Sequence, residues 1–263
     1  MPDLLALWPA SFPAPHTTAG ILAAFFVAGF IKGASGLGFS TSCMPLLTFL
    51  VGLKGALGLI ILPSLASNLM VMRDAGGFQT AVKRFWPLYL SLLPGLALGL
   101  FLLGAVDQIW AGAALGIVLI GYGLFTLSRG QEVRLRPGLE SSKWMLPTGI
   151  TTGFVNGLTG SQVMPMMPYL LALGLQPGLF VQAINISFTF STLVMVAGLA
   201  KLDILSVSSG VIGLMGLLPV FVGVKFGGIV RRRLNDKTFR KLVLMVLIAL
   251  GIGLLTKPLL GGL

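Results

Sequence analysis

The sequence predicts an all-α polytopic membrane protein made of two inverted-topology repeats of about five hydrophobic segments, each with a glycine-broken helix and a short helix. Three observations predict it. Of 263 residues, 56% are hydrophobic and 10% charged, against roughly 25% charged in a soluble domain. Apolar runs of about twenty residues, long enough to span a ~30 Å hydrocarbon core, recur from end to end. One glycine-rich polar motif occurs twice. Gly29-Phe30-Ile31-Lys32-Gly33-Ala34-Ser35-Gly36-Leu37-Gly38 is followed by Pro45, and Gly153-Phe154-Val155-Asn156-Gly157-Leu158-Thr159-Gly160 by Pro168. A helix-breaking motif at corresponding points of two hydrophobic halves suggests one site assembled from two repeats. The alternating ten-residue segments of a membrane β-barrel are absent from the sequence.

The elements follow in order. Residues 1–16 carry Trp8, Phe12 and four prolines and read as an extended stretch at the interface, where amphipathic rings are favoured. No Lys or Arg precedes Lys32, so the first apolar segment, from Thr17 into the motif, reads as a retained span and not a cleaved signal. Segment two, about 41–53, is too short for an untilted crossing. Segment three, about 55–72, contains Pro63, Ser64, Ser67 and Asn68. A charged loop over 73–84 precedes segments four (85–104) and five (109–128). The second half repeats the order with segments six (144–160), seven (163–175, again short), eight (178–199) and nine (207–227). A basic loop over 228–241 leads into segment ten, which ends near Thr256. The domain division is 1–128 for the N-terminal repeat, 129–143 for a cytoplasmic linker and 144–263 for the C-terminal repeat.

An odd number of segments per half inverts the second repeat. With the N-terminus outside, the loops 73–84, 129–143 and 228–241 all face the cytoplasm. They then hold fourteen of the eighteen basic residues, with Lys225 counted beside the third loop, as the positive-inside bias requires. The expected location is the cell (inner or plasma) membrane, multi-pass, with both termini outside. The net charge of +11 lies in these loops and not on one face, which argues against a nucleic-acid partner.

Backbone that leaves the helix inside hydrocarbon survives only where protein or a water-lined cavity satisfies it. Ser40, Thr41 or Ser42 is expected to cap the first short helix, with Pro45 in its opening turn, and Ser161 the second, with Pro165 early in it. Two helix N-termini then face the breaks, each with free N–H donors and about half a positive charge, which suits an anion. Lys32 sharpens the reading. A lysine at membrane depth costs roughly 2.5–3.5 kcal/mol on insertion scales, so it either faces a cavity or snorkels to the interface. No Asp or Glu stands clearly inside a segment to neutralise it. Ser35, Asn156, Thr159 and Gln162 are expected to line the site, Ser35 close to Thr159. Asn68 joins them as a candidate. Gln182, Asn185, Ser187 and Thr189 read as interhelical hydrogen-bonding groups.

Catalysis is not expected. Gly33-Ala34-Ser35-Gly36 has the look of an intramembrane serine protease motif, but that chemistry needs a histidine base at depth. The one histidine, His16, precedes the first segment. There is no H-E-x-x-H, no carboxylate pair and no P-loop. Cys43 is the single cysteine and reads as a small buried apolar residue, and the eleven methionines as packing. No metal and no cofactor is expected. Gly95-x-x-x-Gly99 and Gly112-x-x-x-Gly116 offer faces for helix packing within the chain or in a homo-oligomer.

At these residues the chain resembles the sulfite exporter TauE/SafE family of membrane permeases. The likeness rests on the Gly29–Gly38 run with Pro45, on Pro63-Ser64-Leu65-Ala66-Ser67-Asn68, and on the Gly153–Gly160 run with Pro168, and it covers nearly the whole chain. It implies transport of small sulfur-containing anions, sulfite or organosulfonates such as sulfoacetate, usually outward. It also implies substrate contacts at Lys32, Ser35, Gly36 and Gly38 in the first repeat and at Asn156, Thr159 and Gly160 in the second. The chain departs from the family at Ser161-Gln162, where many members continue the glycine run. The expected function is therefore a secondary transporter of such anions by alternating access between the repeats. An anion-selective channel and a non-transporting membrane scaffold are the alternatives. The expected partners are a small anionic substrate and the lipid bilayer. Sodium symport would want carbonyl and carboxylate ligands, and outward movement of an anion from a negative interior needs no coupled ion.

Overall fold

The computed structural model describes residues 13–35, 38–129, 142–231 and 236–258. The readings made for Trp8 and Phe12, for Gly36, for linker residues 130–141 and for Arg232 and Arg233 lie outside the described residues. Among those described there are ten helices and no strand: α1 (Pro15–Ser35), α2 (Phe39–Ala75), α3 (Phe78–Ala105), α4 (Gln108–Arg129), α5 (Ser142–Thr159), α6 (Met166–Ala172), α7 (Pro177–Lys201), α8 (Val207–Met215), α9 (Leu217–Arg231) and α10 (Asp236–Thr256). Six spans among them are long and apolar enough to cross a membrane, with α8 and α9 counted as one. Large apolar side chains point outward, Phe101 at 74% and Leu218 at 71% exposure. In water such a shell would aggregate, and in a bilayer it is what lipid tails contact. Exposed Trp110 and Trp144 stand in the first turns of α4 and α5, where an aromatic belt is expected. The chain is a multi-pass membrane protein.

The ten-segment reading holds in outline and changes in four places. Segments two and three form one element, α2, bent at Gly52. The glycine's φ of 74° and ψ of 166° lie where side-chain-bearing residues are strained. The charged loop over 73–84 contracts to Gly76-Gly77, with Lys83 and Arg84 inside α3. A helix that runs past the membrane surface carries charge on its own first turns, so charge does not mark its end. Segment nine is divided at Gly216, whose backbone stays helical at φ −66° and ψ −17°. Segment seven keeps only seven helical residues, as α6.

The motif glycines supply a fifth correction. Gly29 and Gly33 lie inside α1, and Gly153 and Gly157 inside α5, so the helices break only after Ser35 and Thr159. A Cβ at Gly29 would stand 2.7 Å from the Val220 carbonyl oxygen, and one at Gly33 would meet the Val224 carbonyl, both on α9. A Cβ at Gly153 would meet the Leu92 carbonyl on α3, and one at Gly157 would stand 2.7 Å from that of Leu96. Small residues let helix backbones touch, which in lipid replaces hydrophobic association as the packing force. Gly95 and Gly99 answer from α3 against α5, and Gly116 abuts Gly251 of α10. The most extensive pairings are α3 with α5, α1 with α9, α4 with α10, and α2 with α7.

Candidate functional site

The first break brings the last turn of α1 against the start of α2. Gly38 caps α2 in the left-handed conformation (φ 86°, ψ 24°), and no side chain caps the helix. The expected capping by Ser40, Thr41 or Ser42 is therefore corrected. The helix starts two residues too early for even Ser40 to stand at its N-cap, and the Ser40 hydroxyl instead lies 3.1 Å from that of Ser64. Ser42 N–H closes the first intrahelical bond onto the Gly38 carbonyl at 2.8 Å. The N–H groups of Phe39, Ser40 and Thr41 precede the ladder and have no acceptor within it.

Lys32 does not snorkel. Its side chain is 4% exposed, and Nζ donates to Ser67 Oγ at 3.1 Å and to Asn68 Oδ1 at 2.9 Å. Ser67 Oγ in turn donates a hydrogen bond to the Ser64 carbonyl at 2.9 Å. Both acceptors of the ammonium are neutral, and two of its three donors are engaged. The carboxylates of Asp74, Asp107 and Asp203 are all exposed, so the charge of Lys32 is not matched by any of them.

Beside this network lies a small, partly open cleft of about 10 Å³, lined by Lys32, Gly38, Phe39, Ser40, Asn68, Ile184, Asn185 and Phe188. The first five come from the first half of the chain, the last three from α7 in the second. Asn185 Nδ2 donates to the Val181 carbonyl at 2.7 Å, which fixes its orientation. Between the same helices, Thr189 Oγ1 donates to Met72 Sδ at 3.5 Å.

Of the candidates named from sequence, Lys32, Gly38 and Asn68 line this cleft. Ser35 ends α1, but its side chain lies outside the described residues, as does Gly36, so its expected approach to Thr159 has no described counterpart. Asn156, Thr159, Gly160 and Gln162 are not among the lining residues. They sit at the second break, where Gly160 (φ 72°) packs against Leu57 and Met44 of α2. Thr159 Oγ1 donates to the Val155 carbonyl at 2.7 Å and accepts from Ser161 N–H at 3.2 Å. Pro165, not Ser161, precedes α6, and no side chain caps it, so the second expected cap is corrected as well. Asn156 Nδ2 and Oδ1, Ser161 Oγ and Gln162 Oε1 are buried without a protein partner among the described residues. Ser40, Ser67 and Asn185 were not candidates for the site. Only Asn185 carried a usable signal, a carboxamide in the middle of an apolar helix.

His16 and Ser35 occupy the two ends of α1, about 28 Å apart at 1.5 Å per residue. The serine-protease reading therefore has no base within reach at His16.

Among known proteins, a family model described as sulfite exporter TauE/SafE matches residues 21–254 of the chain. No curated protein matches it. No solved structure matches it either.

Proposed function

The chain belongs to the sulfite exporter TauE/SafE family, and on that premise we propose that it is a secondary transporter exporting small sulfur-containing anions such as sulfite or an organosulfonate. The observation that carries the reading is the buried ammonium of Lys32 beside the uncapped start of α2. An ammonium with neutral partners is costly at membrane depth, and the helix N-terminus adds about half a positive charge on the same side. An oxyanion entering the cleft accepts the third donor of Lys32 and the free N–H groups of the first turn of α2. It thereby supplies the counter-charge that the protein side chains do not. Ser35, Gly36, Gly38 and Asn68 complete this half of the site in our reading, and Asn185 extends it from α7. Asn156, Thr159, Gly160 and Gln162 form the second break, which moves with it.

The helix pairing supports two repeats, 1–128 and 144–263, joined by the linker 129–143. α1 packs on α9 as α5 packs on α3, while α4 meets α10 and α2 meets α7. First-half helices thus exchange partners with the helices of the same order in the second half, which is the pattern a pseudo-two-fold axis produces. Alternating access follows from rocking one half against the other about a cleft built from both. The basic loops favour termini outside the plasma or inner membrane. A negative interior then drives a monovalent anion outward by about 2.3 kcal/mol per 100 mV.

The experiment is binding and efflux in reconstituted vesicles, with sulfite, sulfoacetate and sulfate against neutral analogues of the same size. Saturable movement of the anions at low turnover is expected. Equal movement of neutral analogues sinks the reading, and single-channel currents convert it into that of a channel.

A further inference from the structure

We infer that α2 is a clasp that governs entry to the cleft, hinged at Gly52 and latched by the hydroxyls of Ser40 and Ser64. The inference rests on the transport reading above and names the segment that moves before an anion reaches Lys32.

The cleft is closed to a substrate as it stands. Its volume of about 10 Å³ is roughly the room that one water needs, and a sulfur oxyanion is larger than water. The shape of α2 shows where more room comes from. Ser40 and Ser64 are 24 residues apart in the chain, with Gly52 midway, yet their hydroxyls lie 3.1 Å apart. Along a straight helix that separation would span about 36 Å. The two limbs, 39–51 and 53–75, therefore run back beside each other. Gly52 stands at the closed end, and the serine pair joins the limbs across the open one. The hinge asks for glycine twice over. Its φ of 74° and ψ of 166° lie in a region that only glycine enters readily, and a Cβ there would run into the side-chain amide of Gln108. Gly38, Phe39 and Ser40 line the cleft from the first limb and Asn68 from the second, so parting the limbs widens it directly.

The first limb is the one free to move. Thr48, Met44 and Phe49 meet Gly112, Gly160 and Gly253 of neighbouring segments through side-chain atoms alone, and adaptable side chains such as methionine repack when a helix shifts. The buried hydroxyls of Ser42 and Thr48 on this limb have no partner among the described residues. The second limb is held by backbone instead, the Ala75 carbonyl against Gly178 of α7 and the Leu59 carbonyl against Gly213 of α8. That limb runs from Gly52, beside Gln108, to Arg73 in the last turn of α2. The clasp thus opens toward the side that the basic loops assign to the cytoplasm, where an exported anion enters. The second half repeats the hinge without the latch. A step of 122 residues carries Gly38 and Gly52 onto Gly160 and Gly174, all four at positive φ. The same step carries Ser40 and Ser64 onto Gln162 and Ile186, and an isoleucine side chain has no hydrogen bond to give.

The test uses the full chain in lipid nanodiscs and vesicles. Without anion, labelling by N-ethylmaleimide is timed for Asn185→Cys in a Cys43→Ala background, which puts one thiol in the cleft and leaves the latch intact. Native Cys43, fully buried and outside the cleft, is the control for unfolding. The cleft thiol is expected to react while Cys43 does not. Adding Ser64→Ala, which removes the latch, is expected to speed its labelling about two- to tenfold, the weight of one neutral hydrogen bond, with Cys43 in Ser64→Ala alone still unreactive. In a second arm, Ser40→Cys and Ser64→Cys are combined with Cys43→Ala, so that side chains already in contact form a disulfide. Efflux of sulfoacetate is followed, since sulfite itself cleaves disulfides. Oxidation is expected to stop efflux and reduction to restore it. Undiminished efflux through the oxidised form overturns the inference, and so does a labelling rate unchanged by Ser64→Ala. Where the wild type moves no sulfoacetate but Ser64→Ala still speeds labelling, the proposed substrate falls and the clasp stands.

Discussion

Lys32 Nζ donates to Asn68 Oδ1 at 2.9 Å, tying the last turn of α1 to α2 beyond its bend at Gly52. The bond holds a positive charge at the mouth of a helix N-terminus while leaving that charge without an opposite one. Substitutions that separate charge from packing follow from it.

Asn68→Asp puts a carboxylate against Lys32. The pair then neutralises itself, and the site loses its claim on an anion. Anion efflux is expected to fall at least tenfold while the thermal midpoint holds or rises, because a matched buried pair replaces an unmatched charge. Efflux and melting measured on the same preparation check both halves. Undiminished efflux removes Lys32 from the site.

Lys32→Gln keeps a hydrogen-bonding stem and deletes the charge. A charged hydrogen bond contributes roughly 1.5–3 kcal/mol, so anion affinity is expected to drop about ten- to a hundredfold. Titration calorimetry with sulfite or sulfoacetate reads the change. Lys32→Arg is expected to retain more affinity than Lys32→Gln, since it keeps the charge in an altered shape.

Asn185→Leu tests whether both halves build the cleft. Asn185 lines it from α7, and a leucine there fills polar space with apolar bulk. Transport is expected to be lost with expression intact. Unchanged transport would assign the cleft to the first half alone.

The glycines divide by what a Cβ would meet. Gly153→Ala drives a methyl group into the Leu92 carbonyl, whereas nothing stands within 4 Å of a Cβ at Gly121 or Gly228. The first is expected to destabilise by about 1–3 kcal/mol, the usual cost of overpacking. The other two are expected to be neutral or slightly stabilising, as alanine is the better helix former. Thermal melting in detergent compares the three.

Efflux that runs on membrane potential alone is electrogenic. An imposed potential of 100 mV, negative inside, is worth about 2.3 kcal/mol per charge. A monovalent anion should therefore reach a steady gradient of about fiftyfold, measured in vesicles clamped by a potassium gradient and ionophore. A gradient independent of the clamp would mean neutral exchange.

Part of the cleft's lining was legible because it breaks the chain's own pattern. A lysine, an asparagine and a left-handed glycine in apolar surroundings mark Lys32, Asn68 and Gly38, and all three line the cleft. Asn185 looked like any hydrogen-bonding residue of an apolar helix, because only the rotation of α7 against α2 decides which way it faces. The glycines misled in a specific way. Gly29, Gly33, Gly153 and Gly157 share a motif with Gly38 and Gly160 but serve close helix contact, while only the latter two turn the backbone. Composition does not separate those uses, since either one asks simply for the absence of a side chain.

By itself the sequence determined the membrane class, the order of the apolar segments and the two points where helix gives way, because burial in lipid is written locally in hydropathy and in glycine. Tertiary structure alone decided that Lys32 is held by Ser67 and Asn68, that Asn185 of the other half shares its cleft, and that both amide atoms of the Asn156 side chain are buried without a partner among the described residues. Those outcomes depend on which helix faces meet, and that is set by contacts between residues far apart in the chain.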